Sequence, residues 1–273
     1  MAILKSSVKR FSRRLIHTFS AASAALFLVG TASASAFDAD ASYVVTLRGV
    51  NIAQVSIDYQ NDGSTYAVNI DGLVSGLASL VAAGTADLNS KGKVGANGLQ
   101  SEQFRLATAA NNETFEVKFQ AQNSNVTSFQ VTPKLTDNVN RVPVKPDHRK
   151  GVNDPVAAFL VKADSLSPEI CNRDLDIYTG IERFDIRMSF AENQTATSQR
   201  TGYQGPVVLC KLRYKPISGH FSDSASTTYM KNNQRFLIWF APLEDTGYAI
   251  PYRILIGTAF GDLSMVLTRL TVN

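Results

Sequence analysis

Strict alternation of apolar and polar residues recurs along this sequence, and such a chain can bury its apolar set only as half-covered β-strands. The clearest run is Phe184 to Phe190, in which Phe184, Ile186, Met188 and Phe190 are apolar while Asp185, Arg187 and Ser189 are polar. Phe115, Val117 and Phe119 alternate with Glu116 and Lys118 in the same way, as do Ala53, Val55, Ile57 and Tyr59 with Gln54, Ser56 and Asp58. Asn61-Asp62-Gly63-Ser64 then supplies turn chemistry before Tyr66, Val68 and Ile70, which predicts a hairpin. Further strands are expected near 43–48, 126–131, 207–214, 235–240, 252–256 and 263–272. Strand 235–240 differs, because Leu237 and Trp239 face one way and Phe236, Ile238 and Phe240 the other. A strand apolar on both faces is covered on both.

Two segments break the alternation. Residues 72–83 place Leu73, Leu77 and Leu80 in one stripe with Val74 and Val81, which predicts a short helix ended by Gly84. Residues 153–160 predict a second, capped by Asn153 or Asp154 with Pro155 in its first turn. The polar stretch Pro143 to Lys150 is the best boundary between an N-terminal half, 37–145, and a C-terminal half, 151–273. The expected fold is mainly β: an antiparallel incomplete barrel or strongly curved sheet with one or two short helices, the 72–83 helix lying in its mouth.

The first 36 residues read as an export signal. Lys5, Lys9, Arg10, Arg13 and Arg14 form a positive start, an apolar stretch runs from Ala21 to Gly30, and Ala34-Ser35-Ala36 fits the small-residue cleavage rule. The stretch is too short and too rich in Ser and Thr for a spanning helix, so no transmembrane anchor is expected after cleavage at Ala36. Ser12-Arg13-Arg14-Leu15-Ile16 partly resembles a twin-arginine signal, and a general secretory route fits equally. The protein is therefore expected in the periplasm as a single β-rich envelope domain, 37–273.

Removing the signal also removes the basic character. Of 27 Lys+Arg residues five lie before Phe37, leaving 22 against 23 Asp+Glu, a net charge of −1. Nothing then favours nucleic acid as a partner. Cys171 and Cys210 are the only cysteines, and an oxidising compartment predicts a disulfide between them. A loop of that size is stabilised by about 4 kcal/mol.

Chemistry-bearing motifs are sparse. His148 and His220 are the only histidines after the signal, and no nucleophile elbow, zinc-helix, P-loop or dinucleotide fingerprint is present. No metal or cofactor is expected. Asp174 and Asp176 share one strand face and, with Glu182, offer paired carboxylates for an enzyme; a solvated strand face explains them as well. Lys145, His148, Arg149 and Lys150 form a basic loop that would suit an acidic partner or be plain solvated surface. Leu73, Leu77, Leu80 and Trp239 are the candidates to face a ligand or partner, with core packing as the plainer account.

Several short motifs carry a resemblance. Asp154-Pro155-Val156-Ala157-Ala158-Phe159, then Ile238-Trp239, Asp245, Pro251-Tyr252-Arg253-Ile254 and the closing stretch Leu263 to Leu270 are similar in order and spacing to a family of exported bacterial proteins known as domain of unknown function 3108. The glycine-leucine segment 72–81 resembles that family too. The resemblance spans most of 37–273 and implies a periplasmic or envelope setting and a β-rich fold. It carries over no catalytic residue. The curved sheets of envelope lipoprotein carriers are alike in architecture only.

These readings point to a non-catalytic envelope protein that binds an apolar or amphiphilic component, a lipid or lipoprotein, or a partner protein in a concave β face and supports envelope integrity. An enzyme acting on cell-wall glycan or envelope lipid, and a ligand-free scaffold for an envelope complex, remain the alternatives.

Overall fold

The computed structural model describes residues 36–80, 83–135 and 139–273. The expected export signal up to Ser35, and Val81 and Ala82 of the expected first helix, lie outside the described residues.

Seven strands follow one another as a meander: β1 (Phe37–Leu47), β2 (Val50–Asn61), β3 (Thr65–Val74), β4 (Gly84–Gly95), β5 (Gly98–Ala110), β6 (Glu113–Gln122) and β7 (Asn125–Thr132). After a long connection come the short helix α1 (Pro155–Phe159), β8 (Val161–Lys162), β9 (Asp174–Tyr178), β10 (Arg183–Ala196), β11 (Gly205–Ser218), helix α2 (Ala225–Lys231), β12 (Phe236–Leu243), β13 (Tyr248–Thr258) and β14 (Gly261–Val272). All fourteen described strands belong to one antiparallel sheet, in the order β7 through β1, then β14 back through β9, with β8 added beside β13. The seam at its centre is β1 on β14. Edges β7 and β9 do not pair, so the barrel is incomplete, as the alternation predicts.

Turn chemistry fixes much of the first meander. Asp62 accepts hydrogen bonds from the Ser64 and Thr65 amides at 2.8 and 2.6 Å and from both hydroxyls, closing the expected β2–β3 hairpin. Those bonds hold its carboxyl well below the usual carboxylate range. Asn111-Asn112 and Asn123-Ser124 have positive φ at both positions, the backbone that two-residue hairpin turns require.

The expected helix over 72–83 does not form. Gly72, Leu73 and Val74 extend β3 and pair with Val55, Gln54 and Ala53. Gly76 has φ +66°, and a Cβ there would lie 2.5 Å from the Asn51 carbonyl oxygen, so the chain turns at this glycine into a single 3-10 turn, Gly76–Leu80. The second expected helix is present. Asp154 caps α1 by accepting from the Val156 and Ala157 amides at 2.7 and 2.9 Å.

Helix α1 occupies the place assigned to segment 72–83. Its Ala157, with Leu160, packs among Phe37, Tyr59, Tyr66 and Tyr248, while Ala158 and Phe159 pack on a second core around Ile177, Ile186, Ile238 and Phe240. Phe37, Tyr59 and Tyr248 form an edge-to-face and tilted cluster with centroids 5.1–6.0 Å apart. A third core joins Phe104, Val117 and Phe119 to Val152 and Tyr178 across the unpaired edges.

Candidate functional site

Residues 151–160 form a strap that bridges the gap between β7 and β9. The Val152 amide donates to the Ser124 carbonyl at 2.8 Å, and Asn153 exchanges backbone bonds with Asp176 and Tyr178 of β9 at 2.8 and 2.9 Å. The Asn153 side chain meanwhile accepts from the Ser101 amide and donates to the Leu99 carbonyl, at 2.9 and 2.7 Å. One asparagine thus ties β5 to β9. Asp154 follows, fully buried. The Ser90 hydroxyl donates to its second carboxylate oxygen at 2.6 Å, and the Tyr66 hydroxyl, 2.9 Å from Ser90, donates to Ser90 in turn. Burial pushes the Asp154 carboxyl above its ordinary pKa, and it pushes the Tyr66 phenol up as well. The Asp154–Ser90–Tyr66 chain anchors the plug to the inner face.

Beyond the plug the inner face is apolar, its side chains packing against the first and third cores with part of their surface left uncovered. Ala41, Ile57, Ile70, Leu88, Leu106, Val117 and Val131 are register partners across β1 to β7. Ala41 and Val117 are buried and the other five are half-buried. The adjoining row, Tyr43, Val55, Gly72, Ala86, Thr108 and Phe115, includes small side chains that leave room above the sheet. The opposite face carries Asp40, Asp58, Asn69, Asn89, Arg105, Lys118 and Gln130 in one such row, with Asn89 donating to Asn69 at 2.9 Å.

The residues singled out in the sequence fare differently. Cys171 and Cys210 form the expected disulfide, with Cα atoms 5.4 Å apart. Leu73 is not on a helical stripe: it sits on β3 and is 55% exposed, opposite Gln54 and Thr85. Leu77 and Leu80 belong to the 3-10 turn, and their side chains lie outside the described part of the structure. Trp239 is half-buried, donates to the Gln194 side chain at 2.7 Å and carries the Arg253 guanidinium 5.1 Å from its ring centroid. Its strand is covered on both faces as expected, Ile238 and Phe240 entering one core while Trp239, Ala241 and Leu243 pack on another.

Asp174 and Asp176 form no carboxylate pair for catalysis. Both are exposed, Asp174 paired with Arg187 at 2.9 Å and Asp176 with Arg183, and neither approaches the interior. In the basic loop, Lys150 pairs with Asp147 at 2.7 Å, Arg149 stacks 4.3 Å from the Phe129 ring centroid, and His148 bonds Ser218 at 2.8 Å. Ser90 and Tyr66 were not singled out from the sequence; their signal was their place opposite the strap, which only the topology reveals. Among the described residues there is no group of three metal-ligating side chains, and no helix is long and apolar enough to cross a membrane.

A family model described as "Protein of unknown function (DUF3108)" matches residues 42–268, so the chain belongs to that family. No curated protein matches it. Among solved structures, a "Beta-barrel-like Protein of Domain of Unknown Function DUF1849" from Brucella abortus is similar, at 10% identity and a TM-score of 0.51, covering 88% of this chain and 99% of that one. The likeness is one of fold.

Proposed function

We propose that this DUF3108 protein is a non-catalytic periplasmic protein that receives an apolar or amphiphilic envelope component, a lipid or the acyl part of a lipoprotein, on the inner face of its first seven strands. The observation that carries the reading is the unbroken apolar row from Ala41 to Val131, five of whose seven side chains keep a part of their surface open to solvent. At the usual spacing of strands the row spans about 29 Å of arc. Its members pack partly against the two cores, and their remaining apolar surface is the kind of lining that an amphiphile site uses. The export pattern of residues 1–36 supports the compartment. Native mass spectrometry of protein purified gently from that compartment tests it. A stoichiometric amphiphile is expected, and Ile70→Asp should abolish it while leaving the folded circular dichroism spectrum. A wild-type chain at bare polypeptide mass refutes the reading.

A second reading, a ligand-free scaffold, is favoured by α1, which already fills the other end of the inner face with Ala157 and Leu160. Cross-linking that recovers one protein partner from a ligand-free chain would select it. The alternative of an enzyme has lost Asp174 and Asp176 to surface ion pairs.

A further inference from the structure

We propose that a groove on the outer face, between the β1–β2 turn and the β13–β14 turn, binds a phosphate monoester. The groove measures about 510 Å³ and brings together Arg48, Arg235 and Arg253 with the side chains of Thr46 and Ser264. Asp262 is the one carboxylate lining it, and it pairs with Arg235 at 2.5 Å. Three guanidinium groups against one carboxylate leave a surplus of two positive charges, which matches a phosphate monoester near neutral pH better than a carboxylate.

The arginines are held for such a role. The Nε of Arg253 donates to the Ser264 hydroxyl at 3.2 Å and its guanidinium lies over Trp239, which leaves its terminal nitrogens for another acceptor. Arg48 makes no side-chain hydrogen bond or ion pair among the described residues; its backbone amide ties the two turns together by donating to the Asp262 carbonyl at 2.9 Å. Its stem crosses Gly261, where a Cβ would stand 2.4 Å from Arg48 Cγ and where φ is +115°. Arg48 itself has φ 52°, a left-handed backbone that asparagine or glycine adopts at lower cost. An arginine at that turn position is costly for folding and is explained by what its guanidinium holds.

Beside the groove Phe260, in the β13–β14 turn, is 74% exposed. An apolar tip beside an anion site suits a phosphate carried on an apolar body, such as a lipid headgroup, although the groove chemistry takes a soluble phosphomonoester equally. The inference stands on the face of β1 opposite Ala41 and survives if the Ala41–Val131 row holds nothing.

Trp239 is the only tryptophan, so its fluorescence reports directly on Arg253. Titration with inorganic phosphate and with glycerol phosphate is expected to shift that emission saturably, with chloride at matched ionic strength having no such effect. Arg48→Asn, which suits the turn backbone and removes the charge, should weaken binding roughly tenfold or more, the loss expected for one charge-assisted contact. Arg253→Gln should do the same, and if it disturbs the Trp239 environment Arg48→Asn alone decides. Phosphatidylcholine vesicles with and without phosphatidic acid separate the two sources. Preference for phosphatidic acid that is lost in Phe260→Ser identifies a headgroup, and saturable binding of the soluble esters without vesicle binding identifies a soluble phosphate. A Trp239 signal that phosphate does not move, or that Arg48→Asn leaves unchanged in affinity, overturns the site.

Discussion

The first seven strands and the last six are built from the same antiparallel meander, yet they bury their residues in opposite ways. In β1 to β7 one face is mostly polar, with Leu73 and Val44 among its exceptions, and the other holds the apolar row and the plug. In β9 to β13 both faces are packed where β12 passes between two cores, and the disulfide adds a covalent tie from β11 to the segment before β9. Strict alternation, in β10 as in the first meander, leaves one side of a strand free; the failed alternation of β12 marks the part covered twice. The C-terminal half therefore holds the doubly covered strand, and the N-terminal half has more surface to offer.

That contrast is broken or sharpened first by truncation. Phe240 is fully buried, and Phe240→Ala should cost about 3–5 kcal/mol in urea unfolding. Ile70→Ala, at a half-buried position, should cost less than about 2 kcal/mol. Equal losses would mean the two halves are equally consolidated. Removing the disulfide with Cys171→Ser and Cys210→Ser together should cost about 2–4 kcal/mol, and limited proteolysis should then cut first within the C-terminal half. Free thiols in protein taken from its native compartment would contradict the bond altogether.

The smallest of the expected effects concerns the plug. Asp154→Ala removes the cap of α1 and orphans Ser90, for about 1–2 kcal/mol. Asp154→Asn keeps an acceptor for the Val156 and Ala157 amides and should be far milder. The pH dependence carries a sign. A carboxyl whose native pKa is raised binds its proton more tightly folded than unfolded, so its contribution falls as pH rises from the ordinary carboxylate pKa toward the raised native one. Chemical denaturation across that window should show a decline in wild type that is absent in Asp154→Asn; identical profiles would show that the buried carboxyl does not govern the plug.

Much of this was legible from residue order alone. The alternation of 184–190 and 53–59, the Asp62 turn, the Asp154 cap, the two-faced strand 235–240 and the cysteine pair all appear where local chemistry predicts them. The 72–83 segment and strands β4 and β5 were not. The leucines at 73, 77 and 80 match helical spacing, yet pairing of Leu73 with Gln54 and Thr85 outweighs that weak local preference, and the positive φ of Gly76 ends any helix. Strand β4 was faint because its inner positions Ala86, Ser90 and Gly92 are small or polar, where space is left for the plug and where Ser90 meets Asp154. A site assembled from β3, β4 and the strap depends on topology, which no local pattern encodes.

The β1–β14 seam has a consequence in time. Ala41 faces Leu270, so the middle of the sheet is closed by the two strands furthest apart along the chain. Contacts of such long range are the slowest to form, since the loop between them must first be closed. A polypeptide delivered from its amino end would fold its hairpins as they arrive but hold β1 as a bare edge until the final strand followed, so completion of the sheet waits on completion of delivery.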